Sequence, residues 1–128
     1  MVDFQFVTPI LRVQDLSASV DYYVDKLGFE KKWTWGDPAT FGCVARGEIE
    51  IFLCQGSQGQ PGMWMSIFVD DVDTLHAQYQ ASGAMIRQAP INCPWGTREM
   101  NVEDIDGHRL RMSGESTGEP DGVPLRED

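Results

Sequence analysis

The stretch PWGTREMNVEDIDGHRLRM, residues 94–112, decides how this chain folds. Two runs of alternating polarity flank Asp106-Gly107, and Asp-Gly between such runs is a strong short-range hairpin signal. In the first run Arg98, Met100 and Val102 share one face, with Glu99, Asn101 and Glu103 on the other. In the second, Leu110 and Met112 share a face, with Arg109 and Arg111 opposite. Each strand thus has an apolar back and a polar front, the pattern of a sheet covered on one side and open on the other.

Working outward, residues 4–13 (FQFVTPILRV) read as a strand, with Val7, Leu11 and Val13 on one face and Thr8, Ile10 and Arg12 on the other. Pro9 lacks the N–H that a ladder needs and suits an edge or a strand start. Asp15 or Ser17 caps a helix running to about Lys26, and Gly28 stops it. Leu16, Val20, Tyr23 and Leu27 recur along it at helical spacing. Three strands follow, Glu30 to Trp35, Phe41 to Ala45 and Glu48 to Cys54, with turns at Gly36-Asp37-Pro38 and Arg46-Gly47. Residues 55–62 (QGSQGQPG) read as a flexible linker.

The same pattern then starts again. Trp64 to Val69 reads as a strand and Val72 to about Ser82 as a helix, with Val72, Leu75, His76 and Tyr79 on one stripe and Gly83 as its stop. Strands follow near Met85–Arg87, Arg98–Asp104 and His108–Met112. At a constant offset of 56, Val13, Asp15 and Leu16 fall on Val69, Asp71 and Val72. An internal repeat decides architecture before local detail does. The expectation is an α+β chain of two tandem β-α-β-β-β modules, residues 1–57 and 58–113, with a polar, surface-draped or mobile tail over 114–128.

The chain has 128 residues and a formal net charge of −10. Binding phosphates needs concentrated Lys and Arg, so the charge argues against nucleic acid and anionic membranes; it suits a small cationic ligand and equally serves solubility alone. No run approaches the roughly 20 apolar residues of a membrane span. The opening MVDFQFVTP lacks the basic flank and apolar core of a signal peptide, so a soluble cytoplasmic protein is expected. Three cysteines form no C-x-x-C pair. Cys43 and Cys54 lie in strand-like runs as packed thiols, whereas Cys93, in a loop beside Pro94-Trp95, has a route to exposure.

The duplicated unit, with ILRVQDLSASVDYYVDKLGF, IFVDDVDTL and PWGTREMNVEDIDGHRLRM as its matching pieces, resembles the vicinal oxygen chelate superfamily of glyoxalases, extradiol dioxygenases and bleomycin-resistance proteins. The resemblance implies modules that curl a mixed sheet into an open cleft, assembled as a homodimer. Enzymes of that superfamily place metal ligands at four matching strand positions. Carried over, these fall on Thr8, Phe52 (or Glu50 if the alignment slips by two), Trp64 and Arg111. A divalent ion wants converging imidazole or carboxylate donors, and a guanidinium at one of those positions repels it. The only histidines are His76, on a helix, and His108, which by parity faces away from Arg111. No metal, cofactor or catalytic residue is therefore expected. The bleomycin-resistance branch shares more: Trp95-Gly96 ahead of Asp104-Ile105-Asp106-Gly107, an arginine on the last strand at Arg111, and an aromatic at Trp33.

Strand parity places Thr8, Ile10 and Arg12 on the cavity face with Phe52, Trp64, Ser66 and Phe68. Glu99, Asn101 and Arg111 share that face, Trp33 and Trp35 share a face of their strand, and Trp95 stands at the rim. Flat rings stack planar or cationic ligands, and Glu50, Glu99 and Asp37 add charge that favours an amine. The candidate ligand-binding residues are Trp33, Trp35, Phe52, Trp64 and Phe68, together with Trp95, Glu99, Asn101 and Arg111. Any single tryptophan also fits a core position, and Arg111 also fits a structural ion pair with Glu99 or Glu50. The reading is a binding protein that sequesters a small aromatic, cationic compound. The alternative is a divergent enzyme of lyase, isomerase or dioxygenase type, with a metal at Glu50 and Glu99 or acid–base chemistry at Glu99 and Arg111. A purely structural module has no positive support.

Overall fold

A computed structural model of the chain describes residues 1–123. It divides into two compact units, one up to Pro61 and one from Gly62 onward.

The first unit holds β1 (Ile10–Arg12), α1 (Leu16–Asp25), β2 (Glu30–Gly36), β3 (Ala39–Arg46) and β4 (Ile49–Cys54). Its sheet runs in the order β1-β4-β3-β2, with β1 parallel to β4 and the other pairs antiparallel. Asp15 caps α1 by accepting a hydrogen bond from the Ala18 N–H at 3.2 Å, which meets one of the donors a helix start leaves open. The helix turns its apolar stripe inward, and Leu16, Val20, Tyr23 and Leu27 are all buried. They meet the back of the sheet, where Leu11, Val44, Ile51 and Leu53 are wholly buried.

The second unit repeats this plan with β5 (Trp64–Phe68), α2 (Val72–Ser82), β6 (Met85–Asn92), β7 (Thr97–Glu103) and β8 (Arg109–Glu115). Its strand order, β5-β8-β7-β6, is that of the first sheet, again with the outer pair β5 and β8 parallel. Asp71 caps α2 as Asp15 caps α1, and Gly83 ends it in the left-handed region at φ +81°. Val72, Leu75 and Tyr79 are buried with Met100, Val102, Leu110 and Met112. The chain is thus α+β, built from two tandem modules of one topology, and no described helix is long and apolar enough to cross a membrane.

Several sequence-based expectations change. The first strand covers only Ile10–Arg12. Phe4, Phe6 and Val7 are exposed, because this unit offers no strand for them to pair with. The linker 55–62 is not loose: Arg12 Nε donates to the Gln58 carbonyl at 2.9 Å, pinning the loop to β1. Strand β6 continues past Arg87 to Asn92 through two irregularities in its pairing with β7. The hairpin closes over Asp104–His108 and not on Asp-Gly alone. Asp104 is buried, and its Oδ1 accepts from the N–H groups of Asp106 and His108, both at 2.9 Å. The last strand runs on to Glu115, and the segment after it is tied down. Asn92 N–H donates to Asp121 Oδ2 at 2.8 Å, and Thr117 N–H donates to Asn92 Oδ1 at 3.0 Å. The end of the tail, residues 124–128, lies outside the described residues. Cys93 is buried, as are Cys43 and Cys54.

Candidate functional site

In each sheet one face meets the helix and the other is open, so strand alternation decides which side chains reach solvent or a guest. The open face of the first unit is aromatic. Trp33 stacks on Phe41 with centroids 5.8 Å apart and planes at 21°. Phe52 lies 5.4 Å from each of those rings. The cross-strand register brings them together, pairing Trp33 with Cys43 and Cys43 with Phe52. Trp35, opposite Phe41 and 71% exposed, borders an open hollow of about 560 Å³ with Phe41, Cys54, Gln55 and Gln58. Cys43 lies under these rings with its Sγ 3.4 Å from Glu50 Oε1. Burial, then the Glu50 carboxylate, pushes the thiol up to about 11, so it is inert as a nucleophile at neutral pH.

The open face of the second unit is built from ion pairs faced by tryptophans. Register sets Trp64 beside Arg109, Ser66 beside Arg111 and Phe68 beside Ser113. On the other side Glu103 pairs with Arg109, Asn101 with Arg111 and Glu99 with Ser113. Glu99 is 1% exposed and its carboxylate is surrounded by donors. Arg111 Nε and Nη2 each donate at 2.6 Å, Trp95 Nε1 at 2.8 Å and Thr97 Oγ1 at 2.5 Å. Burial by itself would raise the Glu99 pKa; the bonds from Arg111, Thr97 and Trp95 outweigh it and bring the group down to about 2. The bond to Glu99 in turn raises Arg111. The Arg111 guanidinium lies 6.0 Å from the Trp95 ring centroid, a cation–π contact.

A second stack repeats the motif: Arg109 lies 5.4 Å from the Trp64 ring centroid. Arg109 Nε donates to Glu103 Oε1 at 2.9 Å, and Nη1 donates to Asn101 Oδ1 at 3.2 Å. The corner carrying Trp95 is held by the backbone. Cys93 N–H donates to the Thr97 carbonyl at 2.7 Å, and Ser116 N–H to the Gly96 carbonyl at 3.2 Å.

The expected residues therefore fall into groups. Trp33 and Phe52 touch in the first unit, with Trp35 at the neighbouring hollow. Trp95, Glu99 and Arg111 form one network in the second, and Trp64 joins Asn101 through Arg109. Phe68 stands exposed beside Ser113. Two readings need correcting. Glu99 is not a spare negative charge for an amine, because Arg111, Trp95 and Thr97 occupy its oxygens. Asn101 is 5% exposed and committed to Arg109. Three contributors were not foreseen. Arg109 shares parity with Arg111, Phe41 with Cys43 in the strand beside Trp33 and Trp35, and Thr97 with Glu99, so alternation was the available signal for all three.

Of the positions that the resemblance would give to metal ligands, Thr8 and Phe52 (or Glu50) lie in the first unit and Trp64 and Arg111 in the second, and Arg111 is clamped by Glu99. Among the described residues no three His, Cys, Asp or Glu side chains cluster closely enough to hold a metal.

Comparison with known proteins follows this geometry. A bleomycin-binding protein from bleomycin-producing Streptomyces verticillus, solved as a complex with copper(II)-bleomycin, is 29% identical with a TM-score of 0.71, covering 93% of this chain and 100% of that one. A bleomycin resistance determinant encoded on the transposon Tn5 is 20% identical with a TM-score of 0.75, over 88% of this chain and 98% of that one. TioX from Micromonospora sp. ML1 is 21% identical with a TM-score of 0.77, over 88% and 99%. None of the curated proteins is a significant sequence match. The profile of the Glyoxalase/Bleomycin resistance protein/Dioxygenase superfamily matches residues 5–112. The chain belongs to that superfamily.

Proposed function

We propose that this protein sequesters a small, planar aromatic compound of net positive charge, acting in the cytoplasm as a homodimer, without a metal ion and without catalysis. The observation that carries the reading is the Glu99–Arg111 clamp. It leaves a neutralised guanidinium, flanked by the half-exposed Trp95 ring, where the resemblance would put a carboxylate ligand. The first unit offers apolar area of its own in the stacked Trp33 and Phe41 rings and the tilted Phe52 ring, and the net charge of −10 draws cations at long range. The similarity to the bleomycin-binding protein supports a ligand of that chemical kind.

Acid–base chemistry at Glu99 has less support. A carboxylate held near 2 is a poor base at neutral pH, and this one is shielded from a substrate by three donors.

Isothermal titration with bleomycin and with proflavine tests the proposal. Stoichiometric binding in the micromolar range, unchanged by EDTA, is expected. Trp95→Ala should weaken it about tenfold or more, since a stacked ring is worth roughly 1–3 kcal/mol. Absence of binding by either compound, or a stoichiometric metal in protein purified without chelators, sinks it.

A further inference from the structure

We propose that Glu99 sets the chemical class of the group accepted at Arg111: a neutral hydrogen-bond acceptor on a planar ring, such as a carboxamide or ring carbonyl, in preference to an anion. The inference deepens the reading above and rests on it.

A guanidinium carries five N–H donors. Arg111 turns the Nε edge to Glu99, using one donor on Nε and one on Nη2. Among the described residues nothing bonds Nη1, and the side chain is 41% exposed while that of Glu99 is 2% exposed. The outer edge of the guanidinium is therefore presented to solvent, with the Trp95 ring centroid 6.0 Å from its carbon. Its donors are fixed in direction, because the inner edge is clamped by two bonds.

The charge of that edge is what Glu99 changes. A bare arginine selects carboxylates and phosphates through its full positive charge. Here the countercharge is already in place at 2.6 Å, so an incoming anion meets a nearly neutral pair and also the nearby Glu99 carboxylate. It must shed its own hydration without full compensation. A neutral carbonyl has a far smaller desolvation cost and still gains the directed N–H bond. Glu103 pairs with Arg109 in the same manner, its other oxygen lying 3.8 Å from Arg87, so the compensation that excludes an anion is local to the Glu99–Arg111 pair. The ring of Trp95 then fixes the guest's plane, and the Arg111 edge fixes its rotation within that plane.

The test is a series on one ring: naphthalene, naphthamide and naphthoate, titrated at neutral pH by tryptophan fluorescence with a calorimetric check. For the wild-type chain, naphthamide should bind about tenfold tighter than either naphthalene or naphthoate, as expected for one directed bond to a charged donor. Glu99→Gln frees the arginine's charge and should reverse the order of naphthamide and naphthoate. A merely structural role for Glu99 would weaken all three compounds together. The double variant Glu99→Gln with Arg111→Met leaves no buried lone charge and should bind the three compounds alike. If all three bind the wild type equally, this inference fails while the sequestering role stands. If none binds, this inference fails, and the bleomycin and proflavine titrations decide the sequestering role by themselves. Should Glu99→Gln not fold, wild-type naphthoate binding as tight as naphthamide is by itself enough to overturn the assignment.

Discussion

Glu99 ties chemistry to stability at the scale of one residue. Its pKa is about 2 in the folded chain against an ordinary 4.5, so the folded state binds the proton less readily than the unfolded one. The stabilisation is full above about 4.5 and is lost as pH falls from there toward 2. By linkage it is worth roughly 3 kcal/mol. Denaturant titrations of wild type and Glu99→Gln should therefore differ most near neutrality and converge through that acid window. A constant gap down to pH 2 would show that the ion pair is not the source. The sequence told which face Glu99 and Arg111 share, because alternation fixes sides. It did not tell depth: Arg109 and Arg111 are two apart in one strand, yet Arg109 is buried under Trp64 and Arg111 is half-open. Depth depends on which rings lie over each position, and that is set by strands distant in sequence.

Among the elements, loop 55–62 departs most from what its composition suggests. Gly and Gln without apolar anchors read as slack chain, but Gly59 lies against the edge strand. A Cβ on it would stand 2.7 Å from the Arg12 nitrogen and 2.8 Å from the Ile10 oxygen, at φ +82°. Backbone atoms cannot step aside, so Gly59→Ala should cost roughly 2 kcal/mol or more. Gly47, at φ +60° with nothing within 4 Å, is the control, where alanine should cost only about 1 kcal/mol. Equal melting temperatures for the two variants would refute the packing role. The helices were legible almost to the residue because each carries an aspartate cap and an apolar stripe at matched positions, Asp15 with Leu16 and Asp71 with Val72. The first strand was over-read for a physical reason. Residues 4–9 have strand-forming composition, but a strand needs a neighbour, and composition does not supply one.

For the whole molecule, duplication was legible from the constant offset, and the identical strand order in the two sheets follows from it. The proposed homodimer belongs to this scale. Phe4, Phe6 and Val7 are left bare by their own unit, and so much apolar side chain ahead of the first strand suits a second copy of the chain. Light scattering at micromolar concentration should give twice the chain mass, and removing residues 1–7 should shift the species toward monomer. A monomeric full-length chain disproves the assembly. The three sulfhydryls give each unit its own reporter, since Cys43 and Cys54 lie within the first and Cys93 within the second, all concealed in the native state. A maleimide dye reaches them only during transient openings, and peptide mapping of the labelled sulfurs would tell whether the halves breathe in concert or separately.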